Sequence, residues 1–179
     1  MRRLKAVTLA AVSGLLALAC ARGAPQGPAP EFTHTRTEDW INSAPLTLAG
    51  LRGKVVLVEF WAFECVNCLN SRAWVEAVAR SKGAAGLVVV GVHSPELRDE
   101  RSPENVRAAV ARLGIHYPVM MDADYSYWEA LQNQYWPAFY LIGRDGLLHG
   151  SAIGELHVGE ASARKVEAAI DQLLKAPVQ

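Results

Sequence analysis

The sequence has no surplus of charge. Its 179 residues hold 18 lysine plus arginine and 18 aspartate plus glutamate, a formal net charge of zero. A chain without a basic excess offers no electrostatic footprint for nucleic acid, and no such partner is expected. Cysteine is scarce: there are three, Cys20, Cys65 and Cys68, and a single C-x-x-C. Structural zinc needs about four ligands, from a second such pair or from spaced histidines. His93, His116, His149 and His157 lack the H-x3–5-H spacing, so no metal site is expected. Methionine is as sparse, with Met1, Met120 and Met121 the only three, and no Met/His cluster forms. Internal repeats are absent. The uncharged apolar run from Ala6 to Ala19 is too short for a comfortable membrane span.

That short run has a different meaning. Arg2, Arg3 and Lys5 precede it, and Ala17-Leu18-Ala19 places small residues at the A-x-A positions. Residues 1–19 therefore read as a secretory signal outside the fold. Its removal takes three basic residues and no acidic ones, leaving a net charge of −3. Cys20 follows directly, in "LLALAC", which resembles a bacterial lipobox. The expectation is lipidation of Cys20, holding the protein on a membrane surface without a span. Ordinary cleavage after Ala19 or Ala21 is the alternative. Residues 20–38 are rich in proline, glycine and alanine and read as a flexible tether, with His34 solvated and the folded domain at 39–179.

Within the domain, "KVVLVEF" (54–60) is a nearly continuous valine-rich run and reads as a buried central strand. "GLVVVGVH" (86–93) is a second, and "YPVMMD" (117–122) adds a short one. "AFYLIG" (138–143) and "LLHGSAIG" (147–154) flank Asp145-Gly146, a hairpin turn signal. Between them lie helices. Val66, Leu69, Ala73 and Ala77 give an apolar stripe over 66–80 that opens at the cysteines. Ser102-Pro103 starts a second helix and Gly114 stops it. Trp128, Leu131 and Tyr135 mark a third, ending before Trp136-Pro137, with Tyr125, Tyr127 and Trp128 as core aromatics. Val166, Ile170, Leu173 and Leu174 line a last one. Strands alternating with helices, then a hairpin, imply an α/β fold with a mixed central sheet flanked by helices. A right-handed crossover puts the start of the first helix at the carboxyl end of a central strand, where ligands gather in open α/β sheets.

Cys65 and Cys68 lie at that edge. A structural disulfide across three residues constrains almost no chain entropy. Redox thiols are the remaining reading. At a helix N-terminus, unpaired N–H groups and the macrodipole favour a thiolate at Cys65, the nucleophile that opens a disulfide. Cys68, one turn on and more buried, resolves the mixed disulfide. Glu64 directly precedes Cys65, and its charge opposes thiolate formation, which leans the pair toward reduction.

"VVLVEFWAFECVNC" resembles the active-site strand and helix start of the thioredoxin superfamily. "YPVMMDADYSYWEALQNQYWPAFYLIGRDGLL" is similar to its exported TlpA/ResA-like branch, and most to the thioredoxin-like domain of DipZ-type proteins, over about residues 40–175. The resemblance implies a thioredoxin-like fold with an inserted helix. It implies that Pro137 is a cis-proline whose loop binds substrate, with Trp136 bordering the groove or lying in the core. It also implies that Glu59 is a buried acid, a proton acceptor for Cys68. The dipeptide Val66-Asn67 and Glu64 depart from the thioredoxin pattern. Trp61 is expected beneath the cysteines and His93 in a capping or hydrogen-bonding role. The charged run from Glu96 to Glu104 reads as a solvated loop.

The resulting expectation is an extracytoplasmic, periplasmic or cell-envelope thiol:disulfide oxidoreductase that reduces or exchanges disulfides in protein substrates. It needs no dissolved cofactor, because the cysteines shuttle the electrons, and it draws on a membrane thiol carrier. Two alternatives stay open: a peroxiredoxin-like thiol peroxidase, whose usual Thr or Ser and Pro are not found ahead of Cys65 and for whose activating arginine the nearest residue, Arg72, lies two turns along the helix, and a copper(I) carrier.

Overall fold

Seven of the residues from Val55 to Trp61 in a row are buried, and this run is the centre of the sheet. The computed structural model describes residues 27–177. In chain order the strands and α-helices are β1 (Gly27–Pro28), β2 (Trp40–Ile41), β3 (Val55–Trp61), α1 (Val66–Lys82), β4 (Leu87–His93), α2 (Pro103–Leu113), β5 (Val119–Met121), α3 (Ser126–Ala130), β6 (Ala138–Ile142), β7 (Leu147–Ile153) and α4 (Ala161–Lys175). The sheet order is β1-β7-β6-β3-β4-β5-β2. Strands β3, β4 and β5 are parallel, while β6, β7 and the two short edge strands run antiparallel to their neighbours. The mixed α/β sheet expected from the strand–helix alternation is thus present.

Alternation along β3 splits the core in two. Val55, Leu57 and Trp61 face a cluster with Trp74, Val75 and Val78 of α1, Val106 and Val110 of α2, and Ile170 of α4. Val56, Val58 and Phe60 face a second cluster with Phe32, Trp40, Tyr127 and Tyr140. The indole of Trp74 donates to Glu167 at 2.7 Å and ties α1 to α4. The turn signals work as their chemistry requires: Ser102 caps α2 through the N–H of Asn105, Pro103 stands at its first turn, and Gly114 closes it at φ 64°. Gly146 takes φ 72° in the β6–β7 hairpin, with Asp145 accepting from the N–H of Leu147.

Three expectations change. The expected tether runs to residue 38, yet 27–38 packs on the domain. Gly27 and Pro28 pair with β7, Phe32 is buried, and the Glu31 carboxylate accepts from the N–H of Leu48 at 2.6 Å. His34 is correspondingly half-buried, its carbonyl accepting from the Trp40 indole. The third helix stops at Ala130, because Gln132 turns to φ 52° and Asn133 is buried, bonded to Tyr135 and Tyr140. Tyr135 is thereby turned outward. Helix α1 has the expected extent but another buried face: Cys68, Ser71, Trp74, Val75 and Val78, with Val66 and Ala73 exposed. The signal segment 1–19 and Cys20 lie outside the described residues. No helix among the described residues is long and apolar enough to cross a membrane.

Candidate active site

One row of residues crosses the carboxyl edge of the central strands. Trp61 pairs with His93, and His93 with Met121. Phe60 pairs with Ala138 in the antiparallel β3–β6 ladder, so the next register position sets Pro137 opposite Trp61. The loops that leave this row carry the site. After Trp61 the chain runs through Ala62 and Phe63 into the cysteine motif, and the Trp136–Pro137 peptide bond is cis, as the resemblance implied.

Cys65 is the N-cap of α1 and is joined to Cys68 by a disulfide, with their Cα atoms 5.3 Å apart. The Cys65 sulfur accepts from the Cys68 N–H at 3.2 Å, and the Cys65 carbonyl from the Leu69 N–H at 3.0 Å. The sulfur therefore sits on the positive end of a helix of 17 residues. Cys65 is 7% exposed and Cys68 1%. Val66, the first residue between them, is 66% exposed.

Glu59 is buried on the face of β3 that α1 covers, between Leu57 and Trp61 along the strand. Burial pushes its carboxyl up to about 7, against the Tyr117 hydroxyl that donates to it at 2.9 Å and the positive charge of Arg72. Gly91, paired with Glu59, makes room for this arrangement: a Cβ there would meet the Trp61 indole and the Tyr117 ring, each at 3.0 Å.

Trp136 is half-buried between the two readings the sequence allowed. Its ring lies 4.2 Å from that of Trp128, and its indole donates to the Ser94 carbonyl at 3.0 Å. Trp61 belongs to the cluster that contains both cysteines, as expected. His93 does not cap a helix. Its ring stacks on Phe63 and meets Trp61 edge-on, its Nε2 has no partner among the described residues, and burial lowers its pKa to about 4. Of the three aromatics beyond β5, Tyr127 is fully buried, while Tyr125 and Trp128 are partly so.

Glu100 carries no signal in the sequence: the run from Glu96 to Glu104 reads as a solvated loop, but Glu100 is buried and accepts three backbone N–H groups: Glu64 at 2.8 Å, Glu96 at 2.6 Å and Leu97 at 2.7 Å. Glu64 itself is exposed, so the carboxylate built into the motif's surroundings is Glu100. Among the described residues, His34, Asp122 and Asp124 bring potential metal-ligand atoms within 4.8 Å of one another. Asp122 already accepts from the Ser94 hydroxyl and the N–H groups of Tyr127 and Trp128, which accounts for its burial as a structural brace.

Comparison with known proteins agrees with this geometry. The redoxin family model matches residues 24–170. Protein DipZ of Mycobacterium bovis is 38% identical over 162 residues, covering 87% of this chain but 22% of DipZ, so the chain spans about a fifth of that relative. Thiol-disulfide oxidoreductase YkuV of Bacillus subtilis is 26% identical over 147 residues, covering 82% of this chain and 94% of YkuV. The crystal structure of a thioredoxin-like superfamily protein superposes with a TM-score of 0.75 at 26% identity, covering 85% of this chain and 99% of the other. The chain belongs to the redoxin family and is built on the thioredoxin-like fold.

Proposed function

We propose that the protein is a thiol:disulfide oxidoreductase that reduces or exchanges disulfides in protein substrates outside the cytoplasm. The observation that carries this reading is the Cys65–Cys68 disulfide at the N-terminus of α1, on the loop-bearing edge of the sheet. In the reduced protein, Cys65 attacks one sulfur of a substrate disulfide. A mixed disulfide forms and the substrate's other sulfur leaves as a thiolate. Cys68 then attacks the Cys65 sulfur, restoring the intramolecular disulfide and releasing the second substrate thiol. Two electrons pass to the substrate, and no dissolved cofactor is required. The Cys68 N–H and the helix end favour the Cys65 thiolate. Glu59, poised near neutrality beneath α1, takes the proton of Cys68.

The surroundings favour a protein substrate. Val66, Leu97 (55% exposed) and Tyr135 (57% exposed) present apolar side chains on three segments around the motif. Trp136 and the cis Pro137 then supply the backbone-binding loop that the family resemblance implies. Peroxidase chemistry needs an arginine beside the attacking sulfur. Arg72 instead donates to the Leu113 carbonyl, further along α1.

The location rests on the signal-like residues 1–19 and on Cys20, which we propose is lipidated and anchors the domain to a membrane, where a thiol carrier re-reduces it. Reduction of insulin with a thiol donor tests the activity: the wild-type protein accelerates it, and Cys65→Ser abolishes the acceleration. Equal turnover by the two proteins rejects the reading.

A further inference from the structure

The mechanism leaves one buried charge without a task. Taking a carboxylate out of water is costly unless its oxygens are satisfied. Glu100 is satisfied only by backbone: Oε1 accepts from Glu64, and Oε2 from Glu96 and Leu97. The first donor immediately precedes Cys65. The other two belong to the loop that leaves β4. That loop is held elsewhere as well. The Ser94 N–H donates to the Trp61 carbonyl at 3.2 Å, and the Ser94 carbonyl accepts from the Trp136 indole. The Tyr125 hydroxyl donates to the Pro95 carbonyl, and Arg101 lies over the Tyr125 ring and donates to the Ala123 carbonyl at 2.8 Å. The loop 94–101 thus touches the segments after β3 and β5 and the one before β6.

We infer that Glu100 is a positioning residue, which pins the Cys65 segment to the loop 94–101 and so sets the attacking sulfur against the exposed Leu97 and the Trp136–Pro137 segment. The role follows from geometry. An apolar side chain would fill the same space at less cost, but it could not hold three N–H groups of two separate segments at one point. The inference rests on the reading of Cys65 as the attacking sulfur. Its consequence is selective: a protein disulfide must engage Cys65, Leu97 and the Pro137 loop together, whereas a small disulfide needs Cys65 alone.

The test uses Glu100→Gln, which keeps the shape but leaves only one accepting oxygen. Amide hydrogen exchange at Glu64, Glu96 and Leu97 is expected to accelerate about tenfold or more, the scale of a hydrogen bond to a charged group. The rate constant with insulin is expected to fall by a similar factor, while the rate with a small aromatic disulfide stays within about twofold. Leu97→Ser is expected to slow insulin reduction in the wild-type background and to add nothing in the Glu100→Gln background. Additive effects of the two substitutions, or equal losses with both disulfides, overturn the assignment and leave Glu100 a plain stability residue. Should Glu100→Gln not fold, exchange in the wild-type protein decides: protection of all three amides supports the brace, and rapid exchange at Glu64 alone overturns it. Because exchange needs no turnover, a wild-type protein that protects these amides but fails to reduce insulin refutes the proposed function and spares the brace.

Discussion

Glu59 illustrates how one side chain carries both a stability cost and a chemical use. Burial raises its carboxyl to about 7 because the charged form loses water and receives one hydroxyl donor in return. Tyr117→Phe removes that donor and should move the Glu59 ionisation upward, read from the carboxyl carbon shift in a pH titration. Glu59→Gln should slow resolution of the mixed disulfide more than its formation, as separated by stopped-flow trapping; equal slowing of the two steps counts against proton transfer to Cys68. Residues at this scale were unevenly legible. The cysteine pair stands out because few chemistries need those residue types at that spacing, whereas Pro137 is singled out only by what the thioredoxin resemblance implies. Glu100 was hidden, because a charged residue among Arg98, Asp99 and Arg101 looks solvated, and its burial depends on the N–H of Glu64, which only the folded chain brings near.

At the scale of the element, the helices and strands were found nearly to the residue where capping and turn chemistry marks them. Helix α2, bracketed by Ser102, Pro103 and Gly114, is the clearest case. The buried face of α1 was not found. A search for aliphatic spacing selects Val66, Leu69, Ala73 and Ala77, whereas the face that packs includes Ser71. This serine is buried because its hydroxyl donates to the Asn67 carbonyl at 3.0 Å and accepts from the Leu156 N–H at 3.1 Å. Internal satisfaction makes a polar residue behave as core. Ser71→Ala leaves the Leu156 N–H buried without its acceptor and should cost about 1–3 kcal/mol in urea unfolding. The same substitution should leave the reaction of Cys65 with a small disulfide unchanged.

For the whole molecule, two buried titratable groups oppose one another. Glu59 ionises near 7 in the fold against an ordinary 4.5, so between those values the folded state holds the extra proton and stability falls as pH rises. His93 titrates near 4 against an ordinary 6.5, so the unfolded state holds the extra proton and stability falls as pH drops. Each effect is worth about 3 kcal/mol when fully developed. Over the shared window, about pH 4.5 to 6.5, the two slopes cancel. Glu59→Gln should therefore expose the histidine slope, with stability that declines on acidification through this window while the wild-type value stays level apart from other groups. Parallel pH profiles for the two proteins would contradict this. The mixed sheet and the placement of the site at its carboxyl edge were legible because strand–helix alternation and crossover handedness constrain them, whereas the strand order was not. The attachment of residues 27–38 was not, since backbone pairing with β7 and the single aromatic Phe32 leave a composition that still reads as a linker.

The central claim is that Cys65 is the sulfur that attacks a substrate disulfide and Cys68 the one that releases the product. Mass mapping of covalent adducts after mixing reduced Cys68→Ser protein with an oxidised protein substrate tests it directly. The account predicts a thiol-reversible adduct on Cys65, and none when Cys65 is the residue replaced. A failure of Cys68→Ser protein to trap substrate, or an adduct on Cys68 in the Cys65→Ser protein, would contradict it.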